Sequence, residues 1–166
     1  NRKDNVMINS PAFVRKLAGK MNEHGVKPEI EIFDFGMINQ ALKIAKEGLI
    51  KNPFLFQFVL GVDGGIPATP KNLLHVVESI PAGSQWSVAA VGRGQLPMNL
   101  LGITLGGHIR TGFEDNVYAR YGELAKSNAQ LVERLTAYAF DLGREIASPA
   151  EARKILSLDS SVSKQP

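Results

Sequence analysis

The stretch Phe54-Leu55-Phe56-Gln57-Phe58-Val59-Leu60 decides the fold class of this chain. Apolar residues follow one another with a single interruption, so the stretch lacks the regular polar alternation of a strand with one face in water. Such a run is typical of a parallel strand, because crossover helices cover both faces of a parallel sheet. We therefore predict a fully buried strand in an α/β fold.

Strand-like and helix-like segments alternate on both sides of this stretch. Further strands are predicted at 29–33 and 86–91 and in a run through Arg110, with helices at 37–46, 71–80, 97–105 and 123–144. Strands separated by single helices pair in parallel through right-handed crossovers. Four such βα units correspond to half of a (β/α)8 TIM barrel.

Three helix starts share a hydroxyl residue followed by proline, namely Ser10-Pro11, Thr69-Pro70 and Ser148-Pro149. The hydroxyl can accept hydrogen bonds from free amides of the first turn, and proline is tolerated at the first helical position. Glu151 completes a capping box with Ser148. After this last helix, the polar residues 159–166 are expected to form a frayed tail.

The composition is ordinary for a globular protein. The 166 residues are 44% hydrophobic and 21% charged, with a formal net charge of +3. Neither a basic run interleaved with aromatic residues nor an apolar run of membrane-spanning length occurs, so we expect no nucleic-acid or membrane partner. The absence of cysteine excludes thiolate metal ligands. We expect a cytoplasmic protein in which any zinc is held by His, Asp or Glu.

Charged groups are concentrated in the segment Gly106-Gly-His-Ile-Arg-Thr-Gly-Phe-Glu-Asp-Asn116. Alternation along a strand puts His108 and Arg110 on one face, and an extended continuation brings Glu114 to the same side. A carboxylate is a hard metal ligand, and a guanidinium beside it can hold an anionic substrate or stabilise developing negative charge. The alternative is a surface ion pair of little consequence. The spacing alone leaves both interpretations open.

Two carboxylates, Glu29 and Glu31, alternate with apolar residues on the first predicted strand. Buried carboxylates are costly unless they are paired or bound to a metal, so packing does not explain them. The chemistry of TIM barrels lies at the C-terminal ends of the strands. Glu31 lies nearer that end, and we favour it as a site residue, whereas Asp34 is expected to lie in a loop or cap a helix.

Short motifs spread over nearly the whole chain support a family resemblance. They are Asn9-Ser-Pro, Lys27-Pro-Glu-Ile-Glu-Ile-Phe-Asp34, Gly61-Val-Asp-Gly-Gly65, Trp86 with Gly92-Arg93, the segment 106–116, Ser127-Asn-Ala-Gln-Leu-Val132 and Glu151-Ala-Arg153. In order and spacing, they resemble the β-keto acid cleavage enzymes, a family of zinc-dependent TIM barrels. The family pattern also contains an N-terminal half with a His-x-His pair of zinc ligands, which this sequence lacks. The resemblance implies that residues 1–158 are the C-terminal half of such a barrel, about its last four βα units.

The resemblance also implies roles for individual residues. Glu114 corresponds to the zinc ligand, Arg110 and Asp115 correspond to catalytic polar groups, and Glu31 is the favoured acid–base residue. The implied reaction is acyl exchange between a β-keto acid and acetyl-CoA, which gives acetoacetate and a new acyl-CoA. The implied partners are those two substrates, the N-terminal half of the barrel and further copies in a homo-oligomer. Where coenzyme A binds, the loop 61–70 and Arg93 are reasonable phosphate contacts.

Two other functions fit the sequence. One is a non-catalytic half-barrel fragment or subunit that needs the N-terminal half, and the missing histidine pair favours it for these residues alone. The other is a TIM-barrel lyase or aldolase that does not use coenzyme A, because one barrel fold hosts many reactions. The particular β-keto acid, and which of Glu29 and Glu31 faces the site, are left open.

Overall fold

The computed structural model describes residues 8–158 of the chain, so the predicted tail at 159–166 lies outside the described residues. The elements in chain order are α1 (Pro11–Glu23), β1 (Ile30–Ile32), α2 (Phe35–Lys46), β2 (Leu55–Leu60), α3 (Pro70–Glu78), β3 (Gln85–Ala90), a 3₁₀ turn (Gly92–Gly94), α4 (Gln95–Thr104), β4 (His108–Ile109), β5 (Tyr118–Arg120), β6 (Glu123–Leu124), α5 (Asn128–Asp141) and α6 (Pro149–Ile155). In this part of the chain, no helix is long and apolar enough to span a membrane.

The first four strands form one parallel sheet in the order β1-β2-β3-β4. One helix connects each strand to the next, which confirms the predicted α/β class. The register places Phe56 of β2 opposite both Ile30 of β1 and Trp86 of β3, and Val88 opposite Ile109 of β4. Neighbouring C-terminal strand ends therefore meet along one edge of the sheet.

One face of the sheet forms the main hydrophobic core. Phe56, Phe58 and Val88 are completely buried there against the helices. At the start of β4 the chain passes so close to Trp86 that a Cβ atom on Gly107 would lie 2.4 Å from ring atoms of the indole. Only glycine fits this approach, which holds β4 against β3 and so fixes where Arg110 emerges.

The opposite face is more polar than the buried strand run predicts. It presents Glu29, Glu31, Gln57 and Ser87, because these residues alternate with the core-facing positions of β1, β2 and β3. Gln57 and Ser87 are buried in the centre, whereas both glutamates are exposed. The prediction of strands with both faces covered is confirmed for β2 and β3, where residues 56–60 and 86–90 are all buried, whereas the expectation of buried carboxylates on the first strand is wrong for the described residues. The physical reason is that β1 is the edge strand of this sheet.

The predicted helix starts are confirmed. Ser10, Thr69 and Ser148 cap α1, α3 and α6 through their side chains, and Glu151 closes the capping box of α6. Asp34 caps α2 by accepting a hydrogen bond from the amide of Gly36 at 2.7 Å.

The predicted helix at 123–144 is wrong over its first turns. A two-stranded antiparallel hairpin, β5–β6, occupies residues 118–124, and α5 begins only after Ser127. Gly122 in the hairpin turn has φ +74°, which favours glycine and ends any helix there. The Ser127 side chain accepts a hydrogen bond from the amide of Gln130, and this cap fixes the true helix start. The strand through Arg110 is also shorter than predicted, ending at Ile109.

Candidate active site

Arg110 leaves the sheet directly after β4, at the C-terminal edge. Its amide still donates to the carbonyl oxygen of Val88 at 2.9 Å, so its backbone continues the pairing with β3. Its own carbonyl oxygen accepts a hydrogen bond from the Asn99 side-chain amide at 3.0 Å. The backbone is thus fixed from both sides, by β3 and by α4, and the guanidinium starts from a rigid position.

The guanidinium of Arg110 has an acceptor for each of its five N–H groups. Nε and Nη2 each contact one oxygen of Asp115 at 3.1 Å, which makes that pair bidentate. Nη2 also donates to Glu114 at 2.8 Å, and Nη1 donates to Gln57 at 2.6 Å and to Glu31 at 3.2 Å. The side chains predicted from the sequence as site residues therefore meet around one cation.

A turn, and not an extended strand, brings the two adjacent carboxylates to Arg110. The amides of Asp115 and Asn116 both donate to the carbonyl oxygen of Gly112, which closes the turn. The predicted extended continuation to Glu114 is therefore wrong, although Glu114 does reach Arg110. The turn separates the carboxylates by environment, because the side chain of Asp115 is 5% exposed and that of Glu114 is 82% exposed.

Negative charge exceeds positive charge in this cluster. Three carboxylates face one guanidinium, which leaves a formal excess of two negative charges. Partial burial opposes the charge of Arg110, but the carboxylates, Asp115 foremost, outweigh it and raise the pKa of the guanidinium. Burial raises the pKa of Asp115, and Glu114 adds to the rise, whereas Arg110 opposes it. A buried carboxyl with a raised pKa beside a cation is suited to proton transfer.

Glu29 lies beside this cluster without touching Arg110. Its carboxylate accepts a hydrogen bond from Nε2 of Gln57 at 3.1 Å. Oε1 of the same Gln57 side chain accepts the hydrogen bond from Arg110. Desolvation at the sheet raises the pKa of Glu29, and the like charge of Glu31 adds to the rise. Glu31 is thus the direct partner of Arg110 and Glu29 an indirect one. The linking residue, Gln57, was predicted only as part of the buried strand.

His108 shares the strand face predicted for it but takes no part in the cluster. Its Nε2 lies 3.2 Å from the side-chain oxygen of Gln85. Burial lowers the pKa of His108, and the positive charge of Arg144 adds to the lowering. His108 is thus hydrogen-bonded within the sheet, away from the carboxylates around Arg110.

Two buried amides on α4, Gln95 and Asn99, were not predicted. Asn99 holds the carbonyl of Arg110, and Gln95 accepts hydrogen bonds from the hydroxyl of Thr111 at 2.9 Å and the amide of Asn116 at 3.4 Å. They stand four residues apart, and therefore on one helix face, in the otherwise largely apolar sequence QLPMNLLGIT. That spacing is the signal by which a sequence reading can find them.

The described residues do not form a metal site by themselves. Although three carboxylates surround Arg110, no three His, Asp or Glu side chains of residues 8–158 are placed so that they could hold one metal ion. A catalytic zinc site in a protein has about three protein ligands. Glu114 is one exposed carboxylate of a suitable kind, so this segment offers at most part of such a site.

Comparison with known proteins identifies the relatives of the chain. The sequence model described as beta-keto acid cleavage enzyme matches residues 1–158. The chain is 52% identical over 155 residues to the 3-keto-5-aminohexanoate cleavage enzyme of Fusobacterium nucleatum subsp. nucleatum, covering 93% of this chain and 56% of that protein. It is 46% identical to the enzyme of the same name from Acetoanaerobium sticklandii, covering 93% and 57%. A 3-oxoadipate:acetyl-CoA acetyltransferase from Cupriavidus necator is 39% identical, covering 93% and 56%. The chain spans about half the length of the curated relatives it matches.

Proposed function

The chain belongs to the beta-keto acid cleavage enzyme family, and from this premise we propose that the whole protein cleaves a β-keto acid by acyl exchange with acetyl-CoA. The products are acetoacetate and a new acyl-CoA. The names of its relatives, which include acetyl-CoA transferases, support this reaction. Arg110, Asp115 and Glu31 are the proposed catalytic residues, and Glu114 is the proposed metal ligand.

The observation that best supports this proposal is the set of five acceptor oxygens, from four residues, around Arg110. Every N–H of the guanidinium donates a hydrogen bond within the protein. An anionic substrate can therefore bind Arg110 only after one of the carboxylates has moved away from it. Glu114 and Glu31 are the exchangeable partners, because water reaches both side chains, at 82% and 46% exposure. The excess of negative charge also favours a divalent cation, which would draw such a carboxylate away from Arg110.

We propose that zinc is bound with Glu114 as one ligand and with the remaining ligands outside residues 1–166. When bound, zinc would act as a Lewis acid that polarises the keto and carboxylate oxygens of the substrate. With Glu114 withdrawn, Nη2 of Arg110 has a free N–H with which to hold a substrate carboxylate or an oxyanion. Asp115 keeps the guanidinium in orientation and is placed to accept and return a proton, a task that Glu31 can share.

The architecture proposed for the whole protein follows from the sheet. Parallel strands in sequential order, with one helix between neighbours, are the repeating pattern of a TIM barrel, and we propose that this chain forms its last four βα units. Residues 1–158 would then be one half of the barrel. The polar sheet face with Glu29, Glu31 and Gln57 would face the interior, closed by the N-terminal half. We also propose that the whole protein is cytoplasmic and forms a homo-oligomer.

Incubation of the whole protein with acetyl-CoA and a panel of β-keto acids tests the function. We expect acetoacetate and one new acyl-CoA to appear in equal amounts, at a rate that depends on both substrates. Cleavage without acetyl-CoA would instead support a lyase or aldolase. No turnover of any keto acid by the metal-loaded protein would refute the proposal.

A further inference from the structure

A cavity of about 870 Å³ lies between the start of α4, the loop after β4, the β5–β6 hairpin and α5. Leu96, Val117, Leu131 and Leu135 contribute apolar wall from these elements. Its volume falls within the range of about 300–1,000 Å³ that is common for small-molecule sites. The cavity is therefore large enough for an extended ligand and mostly suited to an apolar one.

Polar groups at the wall connect this cavity with the site around Arg110. Asp115 lines it, and so do Gln95 and Asn99, which are 3% and 0% exposed. Among the described residues, neither Nε2 of Gln95 nor Oδ1 of Asn99 has a hydrogen-bond partner. Buried polar atoms without a partner are rare because each costs free energy. Both atoms lie beneath the accessible surface of the wall, so Gln95 and Asn99 make this end of the cavity polar without an open hydrogen-bonding position.

Two arginines contribute positive charge to the lining of the cavity. Arg93 and Arg120 both line it and are exposed. Neither forms an ion pair with another residue of the described range. The lining thus combines unpaired arginines, apolar surface and the carboxylates of Glu114 and Asp115.

We propose that this cavity binds the pantetheine arm of acetyl-CoA, with the thioester towards Asp115 and the phosphates towards Arg93 and Arg120. The inference rests on the proposed function, in which acetyl-CoA is the second substrate. The arm is a long, mainly apolar chain that matches the apolar wall, and its two amide groups suit the polar end of the cavity at Gln95, Asn99 and Asp115. A β-keto acid is short and anionic, so it neither fills the cavity nor matches its apolar wall.

A tryptophan that fills the cavity tests this inference in the whole, metal-loaded protein. Val117 lines the cavity and is 46% exposed, whereas Val132 on α5 is 48% exposed and lies outside the cavity lining, so Val132→Trp is a matched control for Val117→Trp. We expect Val117→Trp to raise the KM for acetyl-CoA, and the Kd for coenzyme A by calorimetry, at least tenfold. The KM for the keto acid should stay within twofold in both variants, and the control should change neither constant.

Two further variants sharpen the result. Leu96→Trp fills the same cavity from α4 and replaces Val117→Trp if that variant does not fold. Arg93→Ala should weaken the binding of acetyl-CoA but not that of acetyl-pantetheine, because only acetyl-CoA has the phosphates that Arg93 would contact.

Three outcomes would overturn the cavity assignment. They are an unchanged KM for acetyl-CoA in a folded, filled variant, a rise in the keto acid KM alone, or a change in sedimentation without a change in coenzyme A affinity. A wild type that binds coenzyme A but cleaves no keto acid would contradict the proposed function and leave the cavity assignment supported.

Discussion

Replacing Arg110 with lysine keeps the positive charge but removes the planar fork, and the structure gives the size of the effect. Lysine has three N–H donors, so at least two of the five acceptors around Arg110 lose their partner. Water can replace the lost contact at Glu114 and Glu31, because both are exposed. It cannot do so at Asp115 or Gln57, which are 6% and 5% exposed. Loss of one charged hydrogen bond at such a site lowers the free energy of unfolding by about 2 kcal/mol.

The effect on catalysis should be larger than that on stability. If Arg110 stabilises a developing oxyanion, we expect Arg110→Lys to lower kcat/KM by about 10²-fold, the range found for removal of one such donor. The assays are acetoacetate formation and urea unfolding of the whole protein.

Arg15→Lys is the matched control, because Arg15 also contacts one carboxylate through two nitrogens, at 2.5 and 2.7 Å from Glu47. That pair is 44% and 40% exposed and is screened by water, so the control should change the free energy of unfolding far less than Arg110→Lys and should lose no activity. If the two substitutions changed stability and activity equally, the planar guanidinium of Arg110 would have no special role.

Three substitutions and the isolated segment give further predictions. Glu114→Ala should remove most of the bound metal from the whole protein, and an unchanged metal content by elemental analysis would exclude Glu114 as a ligand. Asp115→Asn should lower kcat and leave metal content unchanged, because the amide keeps one acceptor for Arg110 but cannot accept the proton; metal loss would instead make Asp115 a ligand. Gly107→Ala should lower the free energy of unfolding by about 1–3 kcal/mol, because the added methyl group clashes with Trp86. Adding Trp86→Phe to that variant should restore part of the loss, because the ring is smaller. An unchanged melting curve for Gly107→Ala would contradict the clash. Residues 1–166 alone should show no keto acid cleavage and should self-associate in sedimentation, because the β1 and β4 edges lack neighbours within the described sheet; a stable, active monomer would refute the half-barrel proposal.

The helix caps could be predicted from the sequence, whereas the hairpin before α5 could not. The hydroxyl caps at Ser10, Thr69 and Ser148 act on amides within three residues, so the pattern alone contains the information. The start of α5 was missed because the apolar and polar residues of 123–127 also fit a helix. Only the positive φ of Gly122 and the cap by Ser127 distinguish a hairpin from that helix.

Contacts between distant segments explain what else was missed at the site. Gln57 and Arg110 are 53 residues apart in the chain, and their contact follows from the register of β1 to β4, which the strand pattern does not specify. Arg144 is similar, because it donates from beyond α5 to the carbonyl oxygen of Ile103 at the end of α4, across 41 residues. Both contacts depend on the packed sheet and helices, whereas Arg110, Glu114 and Asp115 lie in one short segment and could be predicted together.

The carboxylates around Arg110 differ in solvent exposure, and this difference separates their roles where residue type does not. All three are chemically able to bind a metal, move a proton or hold the guanidinium. Asp115 is buried and bidentate, so separation from Arg110 would leave a charge without water or partner, and it must stay in place. Glu114 contacts Arg110 through one oxygen and is mostly in water, so it can exchange Arg110 for a cation at little cost. The roles proposed for Asp115, in orientation and proton transfer, and for Glu114, in metal binding, therefore have support in burial that is independent of the family resemblance.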